Sequence, residues 1–289
     1  MSVRSYVIRT PEVERREDYA SLLRGLESEP ADQLHAACRQ LALTDLFFLG
    51  VYVLNRPDAD NAWVFARARE VQSAPNGYLD LWAREHHKSS IITNWLTIQD
   101  IINDPEMTFG IFSHTWPIAK QFLRQIKMEF ERNEWLKELF PDVLWANPRK
   151  ESPKWSEDEG IVVRRKGNPK EAWGLVDGQP TSKHFGALVY DDIVTRESVT
   201  TPDMISKVTA AWELSTNLGS MGGIRRFAGT IYHFSDTYAA LRKKGVATPR
   251  IFRRPSTAPL MASLSCFHPR LWRRSAKIRA HTPLDVRCF

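Results

Sequence analysis

Cysteine is scarce in this chain of 289 residues. Cys38, Cys266 and Cys288 are odd in number, scattered, and without a CxxC pair. That excludes a disulfide scaffold and a structural zinc site, and it points to a reducing compartment. No apolar run reaches the roughly 18 residues that a membrane span needs, and the first thirty residues lack the apolar stretch of a signal peptide. Internal repeats and low-complexity tracts are missing as well. What is present suffices for a core: 43% of residues are hydrophobic and 26% charged, which excludes a disordered or collagen-like chain. The length allows two domains or one large α/β domain.

Acidic residues are nearly absent from one end. Between Arg253 and Phe289 stand eight Lys/Arg against the single acid Asp285, a surplus of seven. The whole chain carries +6, so residues 1–252 are one charge negative. The basic balance therefore belongs to the tail and says nothing about a nucleic-acid face on the body.

Along the body, residues 13–55 carry apolar positions at three- and four-residue steps, with Pro30 as a break, and predict helix. A second short helix is expected after Asn61. Elements then alternate. Strands are expected at 78–82 (YLDLW), 108–114 (TFGIFSH) and 185–192 (FGALVYDD). Helices are expected at 89–104, at 117–140 with Pro117 at its start, and at 201–218 with Thr201 as cap and Pro202 at its first position. The polar stretch 148–183 holds short strand-like pieces at Ile161–Arg165 and Trp173–Val176, and GGIRRFAGTIYHF reads as a further strand ending in a polar turn. This alternation predicts an α/β fold with a mainly parallel central sheet flanked by helices, preceded by an N-terminal helical segment.

Three segments could carry chemistry. In LWAREHHKSSII (81–92), a strand, a six-residue turn and then Lys88-Ser89 opening a helix make the layout of a phosphate-binding loop. The glycines of GxxxxGKS/T are absent, with Trp82 and His87 in their places, and the segment also reads as a charged turn before an amphipathic helix. In ALVYDD (187–192), a buried strand delivers Asp191 and Asp192 at its C-terminal end, where open parallel sheets bind ligands. One acid suits magnesium and the other an attacking water; two solvated acids capping a strand is the plainer reading. In FAGTIYHFSD (227–236), a strand end places Thr230 and His233 near the same edge. His114, at the end of its strand, could face a nucleotide or be structural. The stretch 148–170 is the most basic exposed part of the body and a candidate for DNA contact, whereas Arg225-Arg226 could touch DNA phosphate or a neighbouring subunit but reads more plainly as a solvated pair.

The set AREHHKSS, IFSHTWPIAKQFLRQIKMEFERNEWLKELFPDV, WGLVDGQPTSKHF, ALVYDDIVTRESVTTPDM and GTIYHFSDTY runs in order from about Ala62 to about Tyr238. It resembles the ATPase half of tailed-phage terminase large subunits, the motors that package DNA into capsids. The resemblance implies a P-loop NTPase domain over 61–252 behind a helical lead, 1–60. It also implies ATP and magnesium as cofactors. The implied partners are double-stranded DNA, the portal protein, the small terminase subunit and further copies in a ring on the portal. The implied location is the cytoplasm of a host bacterium during virion assembly, with no membrane. Residue by residue, Arg84, Glu85, His86, His87, Lys88, Ser89 and Ser90 fall on the phosphate loop (Walker A). Arg84 matches the family's extra basic residue, Lys88 the phosphate lysine, and Ser89 with Asp191 the magnesium ligands. Asp192 falls where many members carry the catalytic Glu (Walker B), and Gly229, Thr230 and His233 on the coupling motif. The family's adenine-binding glutamine has no evident counterpart; Gln72 is a poor match. The alternatives are a nucleotide-binding prophage remnant without turnover and a different DNA-translocating P-loop ATPase.

Members of that family normally continue into a nuclease of the RNase H type. Nothing from Arg253 onward has the clustered carboxylates of such a domain, so nuclease activity is not expected. Residues 253–289 have the composition of an out-of-frame reading. Permitted codons for Arg279–Phe289, read from the third base, spell GPYTFGCQML, a string that resembles the lead into the nuclease half. The alternative is a basic C-terminal arm that binds DNA.

Overall fold

The computed structural model describes residues 16–167, 184–252 and the backbone of 174–175. The expectations for 13–15, for most of 168–183 and for the tail 253–289 lie outside the described residues.

Ahead of the first strand lie α1 (Asp18–Ser28), α2 (Ala31–Thr44), α3 (Leu46–Phe48, running on as a π-wound turn over Leu49–Val53) and α4 (Ala62–Ser73). Pro30 separates the first two. Asp45 caps α3 by accepting the Phe48 amide at 2.9 Å, and Asn61 caps α4 through the Val64 amide at 3.0 Å. Tyr19 packs among Phe47, Phe48 and Tyr52, and its hydroxyl donates to Asp45 at 2.6 Å. The lead helices share one continuous core with the helices that follow.

The strands are β1 (Tyr78–Trp82), β2 (Phe109–Phe112), β3 (Trp155–Ser156), β4 (Gly160–Ile161), β5 (Gly174–Leu175), β6 (Phe185–Asp191), β7 (Gly219–Gly229) and β8 (Thr248–Phe252). Six of them form one sheet in the order β5-β2-β6-β7-β1-β8, with every neighbouring pair parallel. β3 and β4 make a separate antiparallel hairpin. Alternate residues of β6 feed the two faces, as strand pleating requires. Ala187 and Val189 join the core under the helices α5 (Leu96–Asn103), α6 (Trp116–Arg132) and α7 (Glu134–Leu139). Leu188 and Tyr190 join the opposite core with Trp212 of α9 (Pro202–Ser215) and Tyr238 of α10 (Thr237–Lys243). A single-turn helix, α8 (Pro148–Glu151), precedes the hairpin.

Several expectations need correction. The stretch 117–140 is two helices, not one. Asn133 stops α6 and caps α7 through the Leu136 amide at 3.0 Å, while its amide group donates to Val53 at 2.9 Å. Ser89–Trp95 is π-wound before α5 begins. Arg226 is not solvated: it is buried, donates to the Pro75 carbonyl at 2.8 Å and pairs with Asp100 at 2.6 Å. The sequence reading assigned neither α10 nor β8. Among the described residues no single helix is long and apolar enough to cross a membrane.

Candidate functional site

The parallel register aligns three strand ends. Leu81 of β1 pairs with Gly229 of β7, and Ala228 of β7 pairs with Asp191 of β6. The residues that leave these strands, from Ala83, Thr230 and Asp192, therefore emerge at one edge, with β7 between the loop strand and the acid strand.

The turn 83–88 is built on left-handed backbone. Glu85 has φ +65° and His87 has φ +58°. His and Asp are among the side chains that enter this region most readily, whereas Glu is not. His87 thus adopts the conformation that a phosphate loop usually assigns to glycine. Burial, countered by Asp58, lowers its imidazole pKa. His86 is the internal strut of the turn. It is buried, its Nδ1 donates to the Arg84 carbonyl at 2.7 Å, and its own carbonyl accepts from Trp63 Nε1 at 3.3 Å.

Lys88 opens the helix and is only 8% exposed. Its Nζ donates to Asp192 Oδ2 at 3.0 Å. Ser89 Oγ donates to Asp191 Oδ1 at 3.0 Å, and Thr93 Oγ1 donates to Asp191 Oδ2 at 2.5 Å. Ser89 and Thr93 stand four residues apart on this π-wound turn, and both hydroxyls reach one carboxylate; such winding is frequent at functional sites. Asp191 is fully buried, and burial together with the neighbouring Asp192 charge pushes its pKa up to about 6, against the pull of the two hydroxyls and Lys88. Asp192 leaves the sheet at φ +45°. Its Oδ1 is buried and has no hydrogen-bond partner among the described residues.

Two carboxylates against one lysine leave a surplus negative charge when both are ionised, and an unpaired buried oxygen beside it. Among the described residues no cluster of three or more His, Cys, Asp or Glu could hold a metal alone. One hydroxyl and one or two carboxylates is instead the donor set that leaves most positions on magnesium to water and phosphate.

The sequence-derived residues divide. Lys88, Ser89, Asp191 and Asp192 meet. Arg84 is exposed and bonded elsewhere, its Nη2 donating to Tyr232 OH at 2.6 Å. Glu85 is exposed and Ser90 half-buried; neither has a described bond to the acids. Gly229 packs against Tyr238: a Cβ there would lie 2.2 Å from the phenol oxygen. Thr230 Oγ1 donates to the Trp82 carbonyl at 3.4 Å, closing the strand ends together. His233 folds back on its own loop, its Nδ1 accepting from Ser235 Oγ at 2.9 Å. Gln72 is structural, bonding Leu46, Thr44 and Gln99 between helices. In the basic stretch after 148, Arg149, Lys154 and Arg164 pair with Glu131, Glu159 and Glu151. Thr93 and Tyr232 were missed. The four-residue step from Ser89 could have shown Thr93; nothing in the sequence signals Tyr232.

No protein-family model matches this chain, and no match was found among curated proteins.

Proposed function

We propose that this chain is a P-loop motor ATPase, related to the ATPase half of phage terminase large subunits, which hydrolyses ATP with magnesium to drive double-stranded DNA into a capsid. The carrying observation is the meeting of Lys88-Ser89, from the turn after β1, with Asp191-Asp192, from the end of β6, across the intervening β7. A turn with glycine-like backbone at His87, followed by a helix start, supports phosphate binding through free backbone amides.

The roles follow from chemistry. Lys88 offsets phosphate charge. Ser89 and Asp191 would hold magnesium, which when bound neutralises charge that develops on the transferred phosphoryl group. Asp192 accepts a hydrogen bond from the attacking water and orients it in line. Arg84, long and exposed beside the turn, is placed to reach a terminal phosphate on release from Tyr232. The partners expected of such a motor are the portal protein, a small terminase subunit and further copies of this chain in a ring.

The test is steady-state ATP turnover by the full chain with magnesium, compared with Lys88→Ala and Asp192→Asn. Turnover in the wild type that falls at least about a hundredfold in both variants supports the assignments; equal rates in all three overturn them. Nucleotide binding without turnover in the wild type favours the inactive-remnant reading, to which Asp192 in place of Glu lends its weight.

A further inference from the structure

We propose that His114, at the end of β2, is a positioning residue that fixes the backbone of Asp192 and thereby the aim of its carboxylate. The inference rests on the reading above, in which Asp192 orients the attacking water.

Asp192 sits where the chain breaks from the sheet. Its amide still donates to the Ala228 carbonyl of β7 at 2.9 Å, one step beyond the last ladder pair. Its φ of +45° then turns the chain, and Ile193 and Val194 return to the core. A non-glycine residue holds this conformation only where its surroundings over-determine it. The amide bond to β7 fixes one side of the residue. On the other side, His114 Nδ1 lies 3.2 Å from the Asp192 carbonyl oxygen. A carbonyl only accepts, so Nδ1 carries the hydrogen and donates; Ser113 Oγ, at 3.4 Å, is a weaker second acceptor for it. Asp192 is thus gripped from β7 through its N–H, from β2 through its C=O, and from the β1 turn through Lys88 on Oδ2. The remaining atom, Oδ1, is the one without a described partner. Phe112 stacks on Tyr190 with centroids 4.9 Å apart, so the ends of β2 and β6 are locked together two residues before each of the gripped groups. His114 is exposed, and apart from the adjacent Ser113 hydroxyl its described hydrogen bond is to the backbone of Asp192, so its effect passes through that residue.

Two substitutions separate the hydrogen bond from bulk. His114→Asn keeps an N–H at the branch position of Nδ1. His114→Leu keeps the branch and removes the donor. Both are smaller than or similar to imidazole and border a cavity of about 150 Å3 lined by Phe112, Tyr190, Ile193 and Trp212, so neither overpacks. Two readouts on the full chain are needed: hydrogen exchange of the Asp192 amide without nucleotide, and kcat and KM for ATP. His114→Leu is expected to speed exchange about tenfold, the scale of one hydrogen bond. It is also expected to lower kcat about tenfold with KM within about twofold. His114→Asn restores both. Leu and wild type exchanging alike, or Leu and Asn impaired equally, overturns the proposal. A wild type that hydrolyses no ATP overturns the motor-ATPase reading, and the exchange comparison still decides whether His114 holds Asp192.

Discussion

Asp191→Asn should make the metal-free protein more stable while removing a proposed magnesium ligand. The carboxyl of Asp191 is fully buried, and burial plus the Asp192 charge raises its pKa from 3.8 to about 6. At 1.36 kcal/mol per pKa unit, that rise corresponds to ~3 kcal/mol. The folded protein therefore binds this proton more tightly than the unfolded chain. Stability from this group is fully present below about pH 4 and is lost as pH rises through about 6. Asparagine has the same shape and never ionises. One of the Ser89 and Thr93 hydroxyls can go on donating, now to the amide oxygen, while the other rotates to accept from the N–H2. In urea unfolding with EDTA, the variant should exceed wild type by up to ~3 kcal/mol at pH 7.5 and match it near pH 4. Magnesium should recover stability for wild type and not for the variant. A variant less stable than wild type at pH 7.5, or a gain equal at both pH values, would refute the reasoning.

Three further outcomes follow from named contacts. Asp192→Asn frees Lys88 from its ion pair and removes a charge that repels phosphate, so nucleotide affinity measured by titration should rise several-fold, by ~1 kcal/mol, while turnover falls. Arg250 grips Asp80 through two bonds of 2.8 and 2.7 Å, both residues buried. Arg250→Met should cost ~3–5 kcal/mol in chemical unfolding, and the paired change Arg250→Met with Asp80→Leu should cost much less. Gly229→Ala drives a methyl into the Tyr238 ring and should destabilise by at least ~2 kcal/mol, with Tyr238→Leu in the same chain recovering part of the loss.

Elements whose apolar pattern stands on its own were legible in the sequence. β1, β2 and β6 read as apolar runs, and α9 announces itself through Thr201 and Pro202, with Thr201 accepting the Met204 amide at 3.3 Å. The convergence of Lys88, Ser89, Asp191 and Asp192 also followed from motif order. What stayed hidden depends on partners distant in sequence. β8 reads as TPRIF, with a proline and an arginine in the middle; Asp80 of β1 and the carbonyls of Glu70 and Ala74 make its buried arginine acceptable, and Pro249 is tolerated on an edge strand. The break at Asn133 lies inside a continuous apolar stripe from Leu123 to Leu139, so periodicity alone runs straight through it. The missing glycines told less than expected, because His87 supplies the left-handed turn itself. His114 reads as a bland strand end until Asp192 is seen to leave the sheet at positive φ.

The order of strands also sets an order of completion. β1 is the first sheet strand to leave a ribosome, yet both of its neighbours, β7 and β8, are encoded far downstream, and the Asp80–Arg250 pair spans 170 residues. A growing chain therefore carries β1 with two open edges until almost all of residues 16–252 have emerged. Contacts this distant slow folding and prolong the life of aggregation-prone intermediates. A chain halted before Thr248 keeps one bare edge on β1 and leaves Asp80 without its arginine, a template for edge-to-edge association. The strand that leads into the candidate catalytic turn is thus made first and finished last.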